Sequence, residues 1–136
     1  MWARRGLSAL VAACLLAGCG VSDHDQVQAK VQQFLHATQS KDYKTLCTQV
    51  LGPSLLEHLA ASGVPCETAM RIGLAGVTRP TLSIGRITVA GQRATAVTLT
   101  SAVGQQASLD AIELAKTDQG WRVESLGAPV TGGARK

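Results

Sequence analysis

Aromatic side chains are scarce in this 136-residue sequence, which contains one Phe, one Tyr and two Trp residues. The hydrophobic core must therefore be built mainly from Leu, Val, Ile and Ala. Glycine-rich phosphate loops, nucleophile elbows, clustered metal-ligand motifs, internal repeats and low-complexity tracts are all absent. Because these signatures are missing, the sequence does not indicate a phosphate-loop protein, a serine hydrolase or a zinc module. We therefore expect neither a metal nor a cofactor.

Hydrophobic runs long enough to span a bilayer are also absent. The sequence begins Met-Trp-Ala-Arg-Arg and continues with an apolar or weakly polar run over 6–18. A transmembrane helix needs about 20 apolar residues, whereas a positive segment followed by a short apolar one is typical of an export signal. We therefore predict that residues 1–18 are a signal peptide rather than a permanent anchor.

The predicted signal ends in Leu16-Ala17-Gly18-Cys19, which resembles the lipobox of bacterial lipoproteins. This resemblance implies cleavage before Cys19, a diacylglyceryl group on its thiol and acylation of the new amine. Two acyl chains or more hold a protein stably on a membrane, whereas one holds it only marginally. The alternative is an ordinary signal peptide cut near Gly20. The stretch around Cys14 is a poorer and earlier lipobox match, so we interpret Cys14 as part of the removed segment.

Positive charge is modest once the signal is removed. Loss of Arg4 and Arg5 lowers the number of Lys and Arg residues from 13 to 11, against nine acidic residues, so the net charge is about +2. Arg135 and Lys136 account for that excess. We therefore expect no nucleic-acid binding.

The expected location is the extracytoplasmic face of a bacterial membrane, and the expected partners are that membrane, a small apolar ligand or an envelope protein.

Only two cysteines, Cys47 and Cys66, remain in the mature chain besides Cys19. An even pair in an exported domain favours a disulfide. It would close a loop of about 20 residues and stabilise the fold by about 3 kcal/mol in the chain-entropy model. A metal-binding pair and a catalytic thiol are the alternatives, but His58 stands alone between the cysteines and completes no zinc site.

The 118 mature residues, one domain's worth, divide into a helical half and a strand half. Apolar spacing predicts a first helix over 23–39, opened by the capping box Ser22-x-x-Asp25. Three shorter helices are predicted to begin at Tyr43, Pro53 and Pro65.

From Thr81 onward the apolar period changes to two. This change predicts four strands joined by short turns, over 81–90, 93–101, 107–117 and 121–126. Two shifts in the alternation, at Gly85-Arg86 and at Ala111-Ile112, predict irregular register. Helices followed by an antiparallel meander indicate an α+β fold, with the N-terminal helices packed on a curved four-stranded sheet.

Three stretches of this chain together resemble the nuclear transport factor 2-like superfamily, specifically its small exported or lipidated actinobacterial members. They are FLHATQSKDYKTLC, the helix pair carrying Cys47 and Cys66, and the closing hairpin ELAKTDQGWRVESL. The resemblance implies a domain over 23–127. The lipidated cysteine and a short tether precede it over 19–22, and we expect a flexible tail over 128–136. It also implies a cone-shaped pocket between sheet and helices. The sequence shows no strand between the early helices, where many relatives have one, so we expect a narrower or partly filled cone.

Enzymes of that superfamily, such as ketosteroid isomerases and polyketide cyclases, use an aspartate or an Asp/His pair to move a proton next to a carbonyl. The best candidate for such a carboxylate is Asp110, within SLDAIEL. Arg86, at the predicted bulge, is a candidate for holding an anionic ligand or for pairing with Asp110. The alternatives are a solvated Asp110 on the outer sheet face and an ordinary exposed Arg86.

The remaining candidates are weaker. Tyr43 and Trp121 are expected in the core, and stacking on a ligand is the weaker alternative for both. His24 lies at a helix start, and His36 and His58 lie on the polar sides of amphipathic helices, so we expect all three on the surface.

Three functional hypotheses follow. The domain binds a small apolar molecule or lipid near the membrane, docks another envelope protein through its sheet face, or transfers protons through Asp110. An open apolar cavity favours the first and third hypotheses, and a filled cone with an exposed apolar patch favours the second. The sequence favours the two non-catalytic roles about equally and the enzyme least.

Overall fold

The computed structural model describes residues 20–130. The predicted signal peptide over 1–18, with Cys14, the predicted lipidation site Cys19, and the tail segment 131–136 lie outside the described residues. In the described part of the chain, none of the helices is both long and apolar enough to cross a membrane.

The longest helix, α1, spans Asp23–Gln39, the bounds that the sequence predicts. Ser22 caps it, because its hydroxyl accepts a hydrogen bond from the backbone N–H of Asp25 at 3.2 Å. Val27 and Val31, one turn apart, are fully buried. The helix therefore lays one apolar stripe on the sheet and turns its polar face to solvent.

Three shorter helical elements follow α1. Helix α2 starts as the turn Tyr43–Thr45 and continues as a π-helical turn over Leu46–Val50, marked by a hydrogen bond from Leu51 N–H to Leu46 C=O at 2.9 Å. Helices α3 and α4 span Pro53–Ala61 and Cys66–Gly73.

A disulfide joins Cys47 and Cys66, with their Cα atoms 6.0 Å apart, a normal separation for such a bond. The predicted disulfide is thus confirmed. It ties α2 to α4 across α3, a helix in which no residue is fully buried. The position of α3 therefore depends on the crosslink and on partly buried leucines that pack against the core.

Four antiparallel strands form one sheet in the order β1-β2-β3-β4, so the predicted α+β architecture is confirmed. The strands are β1 Thr81–Ala90, β2 Arg93–Ser101, β3 Ser108–Thr117 and β4 Gly120–Pro129. The β1–β2 and β3–β4 turns lie at the same end of the sheet, which we call the hairpin end. A hydrogen bond from Lys116 N–H to Gln92 C=O, 2.9 Å, links these two turns. The β2–β3 connection, residues 102–107, lies at the opposite end, the loop end.

The register confirms one predicted irregularity and corrects the other. Between Ile84 and Ile87 the β1–β2 pairing shifts as expected. The slip predicted at Ala111-Ile112 is wrong for β3 itself, which stays in continuous register with β2. The shifts there belong to the β3–β4 pairing, and the extra residues lie on β4. The sequence suggested a slip because Ala111 and Ile112 are adjacent and both apolar. In the structure they lie on opposite faces of β3: Ile112 is buried on the inner face, and Ala111 is partly buried on the outer face.

Strand β4 also continues past Leu126, where the sequence predicts its end. Gly127 adopts a positive φ of 99°, a conformation that a glycine accepts without steric cost. The chain can therefore kink at this glycine and remain paired with β3 as far as Pro129. This continuation brings β4 alongside Asp110.

The core lies between the helices and the inner face of the sheet. Its largest fully buried side chains are Trp121, Leu46, Leu114, Val27, Val31, Val50, Val123 and Thr98. Leu51 forms a single parallel bridge with Val123, and Gly52 N–H donates to Val123 C=O at 2.8 Å. Many relatives have a strand between the early helices, and the sequence does not predict one here. At that place the free edge of β4 pairs with Leu51 alone, through this one-residue bridge.

Candidate functional site

A partly open cavity of about 340 Å³ lies at the loop end of the fold. Its walls come from the second half of α1, the segment 74–80 that follows α4, the loop 102–106 and the inner face of the sheet. Most of the surface is apolar; the larger apolar lining residues are Phe34, Leu35, Leu74, Val77, Leu82, Ile112 and Leu126. The cone implied by the sequence resemblance is therefore present and is not filled by side chains.

Asp110 is the only charged side chain among the described residues that line this cavity. Both of its carboxylate oxygens accept hydroxyl hydrogen bonds: Oδ2 from Thr100 Oγ1 at 2.7 Å and Oδ1 from Ser108 Oγ at 2.8 Å. No salt bridge connects it to any residue of the described part. Asp110 is thus a half-buried carboxylate with hydroxyl partners and no cationic one.

The sheet register explains why Asp110 faces inward. On β3 it has the same parity as the buried Ile112 and Leu114, and across the sheet it pairs with the fully buried Thr98. Side chains two apart on a strand point to the same face. The alternative of a solvated Asp110 on the outer face does not agree with this geometry.

Hydroxyl groups continue the polar strip on the inner face. Thr98 Oγ1 donates to the backbone carbonyl of Asp110 at 3.4 Å. The hydroxyls of Thr100 and Ser108 donate to the carboxylate of Asp110. This strip could not be predicted from the sequence. In RATAVTLT the parity that carries Thr98 and Thr100 is less apolar than the parity that carries Val97 and Leu99, and only the pairing register shows which of the two faces the core.

The rim of the cavity is held by hydrogen bonds between separate segments. Val103 N–H donates to Thr78 C=O at 2.9 Å. The Gln39 side chain at the end of α1 donates to Pro80 C=O at 2.9 Å. Gln105 and Gln106, whose side chains carry amides, also line the cavity. The rim therefore offers neutral donors and acceptors around an apolar interior.

The other three candidate ligand-binding residues lie elsewhere. Arg86 is exposed at the β1 bulge, and Tyr43 stacks with Arg71, whose guanidinium carbon lies 5.6 Å from the ring centroid. Trp121 is buried in the core. None of Arg86, Tyr43 and Trp121 lines the cavity, so the structure does not bring them together with Asp110.

Trp121 instead forms part of a polar contact at the hairpin end. Its Nε1–H donates to Asp23 Oδ1 at 3.1 Å, and Lys116 Nζ donates to the same oxygen at 2.8 Å. The hydrogen bond from the Lys116 ammonium, and secondly that from the Trp121 indole, lower the pKa of Asp23 below its usual value. This contact fastens the start of α1 to the β3–β4 hairpin.

Neither histidine chemistry nor a metal centre is assembled around Asp110 in the described part of the chain. His24, His36 and His58 are all exposed on helices. Among residues 20–130, no three His, Cys, Asp or Glu side chains are grouped so that they could hold a metal ion. The polar side chains of the described lining are therefore one carboxylate, hydroxyls and amides.

Comparison with solved structures identifies the architecture. A proposed dehydratase of the NTF2-like family from Streptomyces avermitilis matches with a TM-score of 0.51 and 20% identity, over 74% of this chain and 90% of that one. An NTF2-like protein of unknown function from Shewanella baltica has a TM-score of 0.51 and 13% identity, over 81% and 99% of the two chains. The chain has the NTF2-like fold.

A third NTF2-fold neighbour is a proposed ketosteroid isomerase from Kribbella flavida, with a TM-score of 0.50 and 12% identity over 86% of this chain and 88% of that one. No protein-family model matches the sequence, and neither does any curated protein. At these identities the likeness establishes the fold and leaves the activity to be argued from the site.

Proposed function

We propose that this protein is a ligand-binding module of the bacterial cell envelope, anchored by lipid on Cys19, with the NTF2-like cavity as its binding site. Its ligand is a small, largely apolar molecule that presents a cationic or hydrogen-bond-donating group to Asp110. The observation that carries this proposal is the single carboxylate, without a cationic partner among the described residues, in a cavity otherwise lined by neutral residues.

The size of the cavity supports a small ligand. Small-molecule sites typically enclose about 300–1,000 Å³, and the volume here, about 340 Å³, is at the lower end of that range. Such a space accommodates a compact ring system or a short chain better than a diacyl lipid. The apolar wall formed by residues such as Phe34, Leu82 and Ile112 would supply most of the binding free energy.

The charge of the site supports selection among ligands of that size. Thr100 and Ser108 each occupy one carboxylate oxygen of Asp110, and each oxygen retains further acceptor capacity. An ammonium group placed there would gain a charge-assisted hydrogen bond. A carboxylate in the same position would be repelled, because the described lining provides no positive charge to offset Asp110.

The test uses three ligands that share one apolar body: 2-naphthylmethylamine, 2-naphthalenemethanol and 2-naphthoic acid. We expect the affinity, measured by calorimetry and native mass spectrometry at pH 7, to fall in the order amine, alcohol, acid. Asp110→Asn should lower the affinity for the amine about tenfold, equivalent to about 1.4 kcal/mol. The affinities for the amine, the alcohol and the acid should then differ less from one another. Glu113→Gln is the matched control, since Glu113 is exposed on the same strand with the opposite parity.

The acid binding as tightly as the amine would contradict the role of Asp110. If none of the three binds, and the protein shows a clean apoprotein mass, the envelope-protein docking hypothesis would be favoured instead. Leu99 and Leu109, opposite each other on β2 and β3, are 49% and 46% exposed and provide an apolar patch for such a partner.

A second candidate function is proton transfer by Asp110. The observation that favours it is a carboxylate inside the cavity of a fold whose neighbours include a proposed dehydratase and a proposed ketosteroid isomerase. Asp110 would take the proton from the carbon between a carbonyl and an alkene, and return it at the far alkene carbon. The side-chain amides of Gln105 and Gln106, which line the cavity, could donate hydrogen bonds to the developing enolate oxygen.

The enzymatic candidate has its own assay. A β,γ-unsaturated cyclic ketone would be converted to its conjugated isomer, which absorbs in the ultraviolet, and Asp110→Asn should abolish the conversion while Glu113→Gln retains it. We rank this function second because the described lining contains no His or Tyr to assist Asp110. Absence of conversion, together with amine-selective binding, would leave the binding role alone.

A further inference from the structure

We infer that the cavity opens at the end of the domain remote from the lipid anchor, so that it takes its ligand from the aqueous phase of the envelope and not from the bilayer. This inference rests on the proposed function. It is carried by the juxtaposition of the start of α1 with the hairpin end of the sheet, while Asp110 and the rest of the cavity lie at the loop end.

The tether between the lipidated cysteine and the folded domain is very short. Gln26 Nε2 donates to the backbone carbonyl of Val21 at 2.8 Å, and Ser22 caps α1. Val21 is therefore already fastened to the helix. Cys19 precedes Val21 by two residues, which an extended chain spans in about 7 Å at most. The anchor must lie close to the first turn of α1.

The first turn of α1 is in turn fastened to the hairpin end. Asp23 accepts hydrogen bonds from Lys116, at the end of β3, and from Trp121, at the start of β4. Lys116 also bonds through its backbone to Gln92 in the β1–β2 turn. The lipid anchor, the start of α1 and both hairpin turns therefore lie at one end of the molecule.

The distance between this end and the cavity can be estimated independently along a helix and along a strand. Along α1, Phe34 lies eleven residues beyond Asp23, which corresponds to about 16 Å of helix. Along β3, Asp110 lies six residues from Lys116, which corresponds to about 20 Å of strand. Both lengths exceed the reach of the tether between Cys19 and Val21. The anchor can therefore not bring the cavity rim to the membrane without rotation of the whole domain onto its side.

The distance between the cavity and the membrane surface determines which class of ligand the cavity can meet. A binding site that opened at the membrane surface would extract or deliver bilayer lipids. A site held about 20 Å further out meets solutes that diffuse through the aqueous envelope space. This source agrees with the small size of the cavity and with the single carboxylate, which suit a small amphiphilic cation with some solubility in water.

The test uses the full, lipidated protein reconstituted in phosphatidylcholine and phosphatidylglycerol vesicles that carry a headgroup-nitroxide lipid. A bimane label is placed at the hairpin end by Asp118→Cys or at the cavity rim by Gln106→Cys, two exposed positions. We expect lipid quenching of bimane fluorescence at least threefold stronger at 118 than at 106. Acrylamide should quench both labels similarly, and vesicles without nitroxide provide the baseline.

Stronger or equal lipid quenching at 106 would overturn the inference, since it would place the rim at the bilayer. Protein that stays in the supernatant with both labels unquenched would overturn it too, by removing the anchor. Binding of 2-naphthylmethylamine to unlabelled protein on the same vesicles separates the two proposals. Binding with a quenched rim would refute the orientation alone, and no binding with the expected quenching would refute the binding function alone.

Discussion

Removal of the Cys47–Cys66 crosslink should be the most informative perturbation of stability. The cysteines are 19 residues apart in sequence, and the chain-entropy model assigns a loop of this length about 3 kcal/mol at 25 °C. The crosslink restricts the unfolded chain more than the folded one, so its loss should lower the free energy of unfolding by that amount. A single domain of this size has only about 5–15 kcal/mol in total.

Urea denaturation of the oxidised protein, the reduced protein and the Cys47→Ala/Cys66→Ala variant measures this effect. With a slope of about 1–3 kcal/mol per molar urea, the midpoint should fall by roughly 1–3 M in both the reduced protein and the variant. The slope itself should rise, because an uncrosslinked unfolded chain exposes more surface. A reductant should not change the variant, which is the control for non-specific effects of the reagent.

Hydrogen exchange should show where the crosslink acts. Because α3 has no fully buried residue and lies between the two cysteines in sequence, its amides should exchange faster after reduction than those of α1 or the sheet. Leu74 and Val77, which follow α4 and line the cavity, should also lose protection. Equal midpoints for the oxidised and reduced proteins, or unchanged exchange in α3, would refute this account of the crosslink.

Three further predictions concern single side chains. Asp23→Asn should lower stability at pH 7, since a depressed folded pKa contributes stability above the unfolded value of 3.8 and loses it as the pH falls through the folded one; urea melts in which the deficit stays constant as the pH falls from 7 to below 3.8 would contradict this. Gly52→Ala should destabilise by about 0.5–1.5 kcal/mol in thermal melts, because its new Cβ would lie 2.8 Å from Glu124 Cδ and would push that flexible side chain away from the Ser54 hydroxyl that donates to it, whereas Gly73→Ala, with open space around it, should not destabilise. Cys19→Ala should abolish labelling by a fatty-acid probe and leave the protein unprocessed or released; labelling that continued in this variant would disprove the lipobox interpretation.

Local patterns in the sequence were sufficient for the elements of the fold. The bounds of α1 follow from its capping serine and from valines at helical spacing, and these signals depend only on residues within one or two turns. The strands follow from a period of two, and Cys47 and Cys66 were the obvious pair in an exported chain. The π-helical turn in α2 has no comparable local signal, because it adds one residue to an otherwise helical pattern.

The composition of the candidate site could be predicted only in part. Asp110 was found because an acidic residue between apolar neighbours is conspicuous in a strand. Its partners Thr100 and Ser108 were not, since threonine and serine are common on both faces of a sheet and only the pairing register shows which face they share. Trp121 lies in the core, as expected, but the hydrogen bond from its indole to Asp23, 98 residues away in sequence, has no local signal.

The sequence by itself thus determined the order and type of the elements, the disulfide partners and the α+β class, because each depends on local spacing or on simple counting. The tertiary structure alone decided that the cone is open, that Asp110 faces into it without a cationic partner in the described part of the chain, and that α1 begins at the end opposite the cavity. These properties depend on strand register and on contacts between residues distant in sequence. A one-residue change of register would move Asp110 to the other face of the sheet and leave every local pattern intact.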